Sequence, residues 1–182
     1  MMMCLTKWLS ATLAIALLAS TAVAADTVAS GKVTSINAEN KTFILTDAAD
    51  KQHTLKLGDS LVVNRAGTES KSDLKTGDAV SVCYNPGILT STAHYILVHE
   101  GTTKNSTLWH GTFKSYNADK KEIGFTDSNK KDATYAIGAA TVRVNMKTSA
   151  AADLAIGEQA LIISNNTGAN ATLSSVMVQR AK

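Results

Sequence analysis

The chain contains 182 residues, of which 45% are hydrophobic and 18% are charged, and its formal net charge is +3. This composition is typical of a folded globular protein and excludes a long disordered chain. Because neither half of the chain is strongly basic, we expect no nucleic-acid partner.

The N-terminal segment has the layout of a cleaved secretory signal peptide. Lys7 precedes the apolar stretch Leu9–Leu18, and small residues then provide a cleavage site near Ala24 or Ala25. We therefore assign residues 1–25 to a signal peptide and expect a periplasmic or secreted protein. The apolar stretch is shorter than the ~20 residues of a membrane-spanning helix, and no later one is longer, so we expect no membrane span.

After this segment the sequence repeats itself at an interval of 80 residues. Without a gap, Gly31–His99 aligns with Gly111–Gln179, and 18 of these 69 positions are identical. The identical residues are mostly turn formers, for example Gly77 and its counterpart Gly157. We assign residues 26–101 to a first unit, 102–108 to a polar linker and 109–182 to a second unit.

Each unit is predicted to consist of short strands. Phe43 and Leu45 are spaced by two residues, which is the period of a strand with one buried face. Polar runs at 47–50 and 127–130 suit hairpin turns, and Ser72–Gly77 is expected to form one helical turn. In the first unit, strands are expected near residues 28–36, 42–47, 52–57, 61–64, 79–84 and 93–99, with the same offsets in the second.

Short strands without a long helix are best buried by closing each sheet into a small barrel, because closure removes exposed strand edges. The sequence therefore predicts an all-β protein of two tandem small OB-like β-barrels, each with five to six short strands. An open sandwich in which both units share one core is the alternative.

The pattern G-x-V-x-S-I-N-A-x-x-K-T-F at Gly31–Phe43, together with D-L-K-T-G-D-A-V-S-V at Asp73–Val82, resembles small exported β-barrel domains of bacteria. These include the periplasmic copper- and silver-binding OB-fold protein of metal efflux systems. That family holds its ion with a histidine, two methionines and a tryptophan. After the signal, this chain has only Met146 and Met177, both in the second unit, and Trp109 is predicted to lie in the linker, outside any strand. The resemblance therefore implies the fold and not the ligand set.

Residues that bind soft metal ions are concentrated in the first unit. If the hairpin that contains Cys83 and His94 is centred between residues 88 and 89, these two side chains lie opposite each other, ~5 Å apart. His53 is the candidate for a third ligand of copper or zinc. Alternatively, Cys83 is a small core residue. The counterparts of Cys83, His53, His94 and His99 in the second unit are Ile163, Ala133, Ser174 and Gln179.

No complete catalytic motif occurs after the signal, so we predict that the protein is not an enzyme. The sequence favours an exported binding or structural protein of the cell envelope, whose partner is an envelope protein or polymer. The alternative is a periplasmic metal-binding or metal-trafficking protein that uses Cys83, His94 and His53. A third interpretation is a hydrolase whose residues meet only in the folded chain.

Overall fold

The computed structural model describes residues 26–165 and 171–180, so the predicted signal peptide lies outside the described residues. Short 3₁₀ turns occur at Gly101–Thr103 and Ala151–Asp153. Within the described ranges, no helix is long and apolar enough to cross a membrane. The strands are β1 (Thr27–Asn37), β2 (Thr42–Asp47), β3 (Gln52–Arg65), β4 (Thr68–Ser70), β5 (Ala79–Asn85), β6 (Ser91–Val98), β7 (Ser106–Asn117), β8 (Glu122–Asp127), β9 (Asp132–Ala136), β10 (Thr141–Val144), β11 (Lys147–Thr148), β12 (Gln159–Asn165) and β13 (Thr172–Val178).

Strands β1–β6 form the first sheet, which closes into a five-stranded barrel. Strand β1 pairs with β2 and β5, β2 pairs with β3, and β6 lies between β3 and β5. The β3–β6 pair is parallel and the others are antiparallel. The short strand β4 folds back and pairs antiparallel with the end of β3. The expected all-β class is therefore confirmed, with a closed barrel in this sheet.

Strands β7–β13 form the second sheet, in which β8, β7, β12, β13 and β10 are neighbours in that order. Strand β9 pairs with β8 along its length and meets β13 through a single pairing of Ala136 with Thr172. Where the first sheet has the continuous strand β3, the second has the separate strands β9 and β10. Gly138 lies between them with a positive φ of 48°, and the chain turns there.

Turn residues that are identical in the two units make the same hydrogen bonds. The Asp47 carboxylate accepts bonds from the backbone of Ala49 and Lys51, and the Asp127 carboxylate does the same for Asn129 and Lys131. A side-chain oxygen that binds amides two and four residues ahead fixes a tight turn. The two hairpin turns predicted from the polar runs are therefore present.

Gly31 and Gly111 occupy places where neighbouring backbone comes too close for a side chain. A Cβ atom at Gly31 would lie 2.2 Å from the Thr46 carbonyl oxygen, and one at Gly111 would lie 2.0 Å from that of Thr126. Such distances are far below van der Waals contact, so only glycine fits. This explains why glycine stands at both positions.

Each sheet encloses a separate apolar core. Alternate residues of β2 and of β8 face these cores, as the period-two spacing predicts. The first core is centred on Phe43 and Leu45 and the second on Phe113 and Phe125, all 0–1% exposed. A third apolar cluster lies between the sheets.

Three local predictions are wrong. The predicted strands at 52–57 and 61–64 are one strand, β3, which is irregular between Leu57 and Val62. Residues Ser72–Gly77 contain a turn and no helix, because the Gly77 amide, which would bond to the Asp73 carbonyl in a helix, donates instead to the Val33 carbonyl of β1 (2.7 Å). Strand β7 begins at Ser106, so Trp109 lies inside a strand, where its indole donates to Ser164.

Candidate functional site

The two sheets meet through the outer faces of equivalent strands. In β5, Val80 and Val82 point into the first core, so Cys83 faces outward in the direction of the second sheet. The apolar cluster between the sheets consists of Cys83, Tyr95 and Leu97 from the first and Leu108, Ile163 and Met177 from the second. Cys83 and Ile163 are counterparts, as are Leu97 and Met177. Each unit therefore buries the same face against the other.

A cleft of about 340 Å³ opens at one edge of this apolar cluster, and both sheets line it. We call it the inter-sheet cleft. Its lining residues are Asp26, Ser60, Val62, Cys83, His94, Tyr95, His110, Met146, Gln159, Ala160, Leu161, Met177, Val178 and Gln179. Its volume lies at the lower end of the range of small-molecule sites.

Five side chains with nitrogen or sulfur donor atoms converge on the inter-sheet cleft, and the other unit lacks the equivalent group in every case. Cys83 and His94 come from the first sheet, while His110, Met146 and Met177 come from the second. Their respective counterparts at the 80-residue offset are Ile163, Ser174, Ser30, Ala66 and Leu97. Positions at which the units differ in chemistry are thus brought together in one place.

Asp26 holds the negative charge of the cleft. Its carboxylate accepts a hydrogen bond from the Asn85 amide (3.2 Å) and lies 3.9 Å from Nε2 of His94. His110 of the second sheet neighbours Asp26, with whose backbone it forms a hydrogen bond, and it is only 8% exposed. Burial lowers the pKa of His110, although the neighbouring Asp26 partly offsets this effect, so the imidazole is neutral at neutral pH.

Cys83 lines the cleft and is only 2% exposed. Burial, together with the charge of Asp26, raises the pKa of its thiol to about 12. The thiol is therefore protonated at neutral pH and is a poor nucleophile, since the thiolate is the reactive form.

Cys83 and His94 are not cross-strand partners, in contrast to the sequence prediction. Near the turn the predicted register is present, with Tyr84 opposite Ala93, but a bulge follows and Cys83 pairs with Tyr95. His94 is the extra residue of this bulge. A bulge re-aims the side chains around it, and both Cys83 and His94 still line the cleft.

His53, the third predicted ligand, lies away from the inter-sheet cleft. It sits beside the β2–β3 turn, where its Nε2 is 3.0 Å from the Asp47 carboxylate. This contact lowers the pKa of Asp47, with help from the Lys51 amide. The structure therefore places Cys83 and His94 in one cleft but does not bring His53 to them.

His99 and Ser81 form a pair with the spacing of a nucleophile and a base. Ser81 Oγ lies 2.9 Å from His99 Nε2 and 2.8 Å from Ser30 Oγ. However, Ser81 is only 3% exposed, and neither it nor His99 lines the inter-sheet cleft. A nucleophile needs room for a substrate beside it, so this pair does not make the cleft a catalytic site.

Across residues 26–165 and 171–180, no group of three or more His, Cys, Asp or Glu side chains is arranged to hold a metal ion. Any soft-metal site in the cleft would have to use the sulfur atoms of Met146 or Met177 as well. Sequence reasoning named Met146 and Met177 but did not combine them or His110 with Cys83, because it looked for ligands in the first unit alone, and it gave Asp26 of that unit no role. A comparison of each second-unit residue with the residue 80 positions earlier would have identified His110, because Ser30 stands at the equivalent position.

On the far side of the apolar cluster, polar side chains join the two sheets. Arg143 of the second sheet forms an ion pair with Glu69 of the first. The Tyr95 hydroxyl donates to Glu69 (3.2 Å) and accepts a bond from the Asn64 amide (2.9 Å). Because the hydroxyl is occupied here, Tyr95 contributes chiefly its ring to the inter-sheet cleft.

No protein-family model and no curated protein matches the chain. Among solved structures, it is similar to a tryptophan-to-alanine variant of CusF from Escherichia coli with Cu(II). The identity is 12%, the TM-score is 0.33, and the match covers 42% of this chain and 94% of that chain.

Proposed function

We propose that the chain is a non-enzymatic binding protein of the bacterial cell envelope, exported by residues 1–25 and built as two tandem OB-like barrels. Its binding site is the inter-sheet cleft. One observation supports this proposal: five side chains that have no chemical equivalent in the other unit line this one cleft, namely Cys83, His94, His110, Met146 and Met177. A duplicated scaffold needs none of these differences, so their convergence supports a ligand site.

The partner of this site is a small molecule or a projecting group of an envelope protein or polymer. The cleft is concave, largely apolar and supplied with a few polar groups, which is the usual character of ligand sites. A flat protein-protein interface would instead offer an exposed apolar patch. The Ser81–His99 pair lies elsewhere, and this supports binding without catalysis.

Amide chemical-shift mapping with a library of small polar and aromatic compounds tests this proposal. We expect the ligands to shift resonances on both sides of the cleft, in β5 and β6 and in β12 and β13. Ser60 lies on the cleft, so a Ser60→Trp variant should block binding, whereas a Ser72→Trp variant on an exposed turn should not. Hits that cluster elsewhere, or that survive Ser60→Trp, would contradict the proposal.

A soft-metal function is the second candidate, favoured by one thiol, two thioethers and two imidazoles in the same cleft. Such ligands select copper(I) and, with imidazole, zinc. His53 is not part of this set, because it is bound to Asp47 in the β2–β3 turn region. The ion would have to displace the proton of Cys83, whose pKa is about 12. Apparent affinity should then rise about tenfold per pH unit at neutral pH.

Titration of the wild-type protein with copper(I) and zinc, and of three variants, tests the metal candidate. We expect Cys83→Ser and Met177→Leu to weaken binding by about tenfold or more, and His53→Ala to leave it unchanged. The Met177→Leu change introduces the residue that stands at the counterpart position, Leu97. If the wild-type protein binds no equivalent of either ion, the metal candidate is wrong and the general binding proposal is unaffected.

A further inference from the structure

A second cavity, of about 160 Å³, lies beside the ion pair of Glu69 and Arg143, and both sheets and the segment between them line it. Among the described residues, its lining consists of two asparagines, five serines and threonines, one glutamate, one arginine and one glycine, with no aliphatic or aromatic residue. The inter-sheet cleft has a largely apolar wall by contrast. We call the second cavity the polar pocket; its walls include Asn64, Glu69, Thr102, Arg143, Asn165 and Ser174.

The internal repeat relates the polar pocket to the inter-sheet cleft. Ser174 and Ser175 line the polar pocket, and their counterparts at the 80-residue offset are His94 and Tyr95, which line the inter-sheet cleft. The same two strand positions therefore face a cavity in both units. In the second unit they carry small hydroxyl groups in place of two rings, which leaves polar space.

The charges of the polar pocket balance. Within the described part of the chain, Glu69 and Arg143 are the charged residues that line it, and they are paired with each other. An ion of either sign that entered the pocket would meet no uncompensated opposite charge. The lining therefore favours an uncharged ligand.

Hydrogen-bond acceptors and donors stand side by side in the polar pocket. The Oγ atoms of Ser174 and Ser175 each donate to a backbone carbonyl, at 3.3 and 3.4 Å. A hydroxyl whose proton is engaged in this way keeps two acceptor lone pairs, and the Arg143 guanidinium has five N–H donors. A ligand hydroxyl is itself one donor and two acceptors, so it can bind both kinds of group at once.

Hydrogen bonds within the protein already fix the walls. Asn64 is only 7% exposed, and its amide donates to the Tyr95 hydroxyl (2.9 Å) while its oxygen accepts from the Gly67 amide (3.0 Å). The Thr103 hydroxyl donates to a carbonyl at the end of β6 (2.7 Å). Side chains that are ordered before binding lose little conformational entropy when a ligand enters. The pocket is therefore preorganised.

We propose that the polar pocket binds a neutral polyhydroxylated ring, such as one sugar unit, through its serine and threonine oxygens and the Arg143 guanidinium. Its volume equals the share of about five water molecules in the liquid, which suits a single ring. A free sugar and one unit of a polysaccharide present the same chemistry to the pocket. This site is separate from the inter-sheet cleft, so the inference goes beyond the proposed function and does not depend on it.

Three polyhydroxylated rings test this inference, namely glucose, N-acetylglucosamine and myo-inositol, with cyclohexanol as a ring that has one hydroxyl. The tightest of the three should bind at least about tenfold more tightly than cyclohexanol, because it forms several hydrogen bonds where cyclohexanol forms one. Titration followed by amide chemical shifts measures the affinities. The shifts should lie in residues 101–103, β10 and β13.

The linear trimers of the two sugars, cellotriose and chitotriose, identify the source of the ring. A trimer that binds at least as tightly as its monomer assigns the pocket to a unit of a polysaccharide. A monomer that binds without its trimer assigns it to a free sugar. Both results support the inference.

Ser174→His introduces the residue that stands at the counterpart position, His94, and fills the pocket, so it should weaken sugar binding by at least about tenfold. The matched control is Ser35→His at an exposed position of β1 outside the pocket, which should bind normally. Arg143→Lys keeps the charge but lacks the planar set of donors, and it should weaken binding by about tenfold. Ser60→Trp, which fills the inter-sheet cleft, should have no effect. Thermal melting checks that each variant is folded.

Cyclohexanol that binds as tightly as the polyols, or sugar binding that survives Ser174→His, would overturn the inference. Absence of binding by all three polyols would also overturn it and would make the pocket a site for water alone. None of these results bears on the inter-sheet cleft, whose ligands are tested separately with Ser60→Trp.

Discussion

In each unit an arginine binds the loop that contains Asp73 or its counterpart Asp153, but the two arginines come from different positions in the chain. In the first unit, Arg65 at the end of β3 binds the carboxylates of Asp73, Asp78 and Glu100 and the Asp73 carbonyl. The counterpart of Asp73 is Asp153, and its carbonyl accepts a bond from Arg180, which follows β13. Arg180 also binds Glu158, the counterpart of Asp78.

In both units a guanidinium binds the loop that precedes β5 or its counterpart β12, although the arginine comes from a different position in the chain. At residue 65 the second unit has Asn145, and at residue 180 the first unit has Glu100. Glu100 itself binds Arg65. Glu100 and Arg180 therefore stand at equivalent positions with opposite charges, and an arginine from either position reaches the equivalent carbonyl.

The largest expected effect is a loss of stability on truncating a side chain in either apolar core, and it tests whether the two cores are equivalent. Phe43→Ala in the first unit should lower the free energy of unfolding by about 3–5 kcal/mol, and Ile123→Ala at the counterpart position by about 2–5 kcal/mol, because both side chains are fully buried. Urea unfolding followed by circular dichroism measures both. A loss below 1 kcal/mol in only one of them would show that the units do not share one core design.

The next effect concerns the two arginines. Arg65→Leu should lower the free energy of unfolding by about 2 kcal/mol, because it leaves three carboxylates without their shared partner. Arg180→Leu should have a smaller effect, because Arg180 is far more exposed than Arg65. An Arg180 variant less stable than the Arg65 variant would reverse this order.

Cys83 and its counterpart Ile163 differ in their response to pH. The folded-state pKa of Cys83, about 12, is above the ordinary value, so the folded protein binds the thiol proton more tightly. Stability is therefore unaffected below the unfolded-state pKa and falls as the pH rises toward the folded-state value. Comparing wild type with Cys83→Ala at increasing alkaline pH should show a steeper fall for the wild type. Parallel curves would contradict the assigned burial.

The smallest effect concerns His53, whose counterpart is Ala133. His53→Ala should leave the melting temperature almost unchanged, because the pair with Asp47 is at the surface. Because His53 lowers the pKa of Asp47, the variant should raise this pKa toward its ordinary value. The pair therefore stabilises the fold at neutral pH and loses this contribution in acid. Carboxyl titration by NMR measures the shift, and an unchanged Asp47 titration would contradict the contact.

Part of the candidate site was predictable. Cys83 and His94 stood out because Ile163 and Ser174 replace them in the second unit, and both do line the cleft. Their register was not predictable, since a β-bulge adds one residue without a sequence signal as clear as that of a turn. The position of His53 relative to Cys83 was not predictable, because the sequence of one unit does not show which outer face the other sheet will cover.

The sequence by itself determined the parts of this protein that depend on local chemistry. Turn asparagines, aspartates and glycines, together with residues spaced by two, define the short strands and their repetition, because turns and strand faces are set by neighbouring residues. Only the tertiary structure decided which outer faces meet. That contact buries Cys83 against Met177 and brings Asp26, His94 and His110 into one cleft. Residues far apart in sequence converge only when the sheets close and pack.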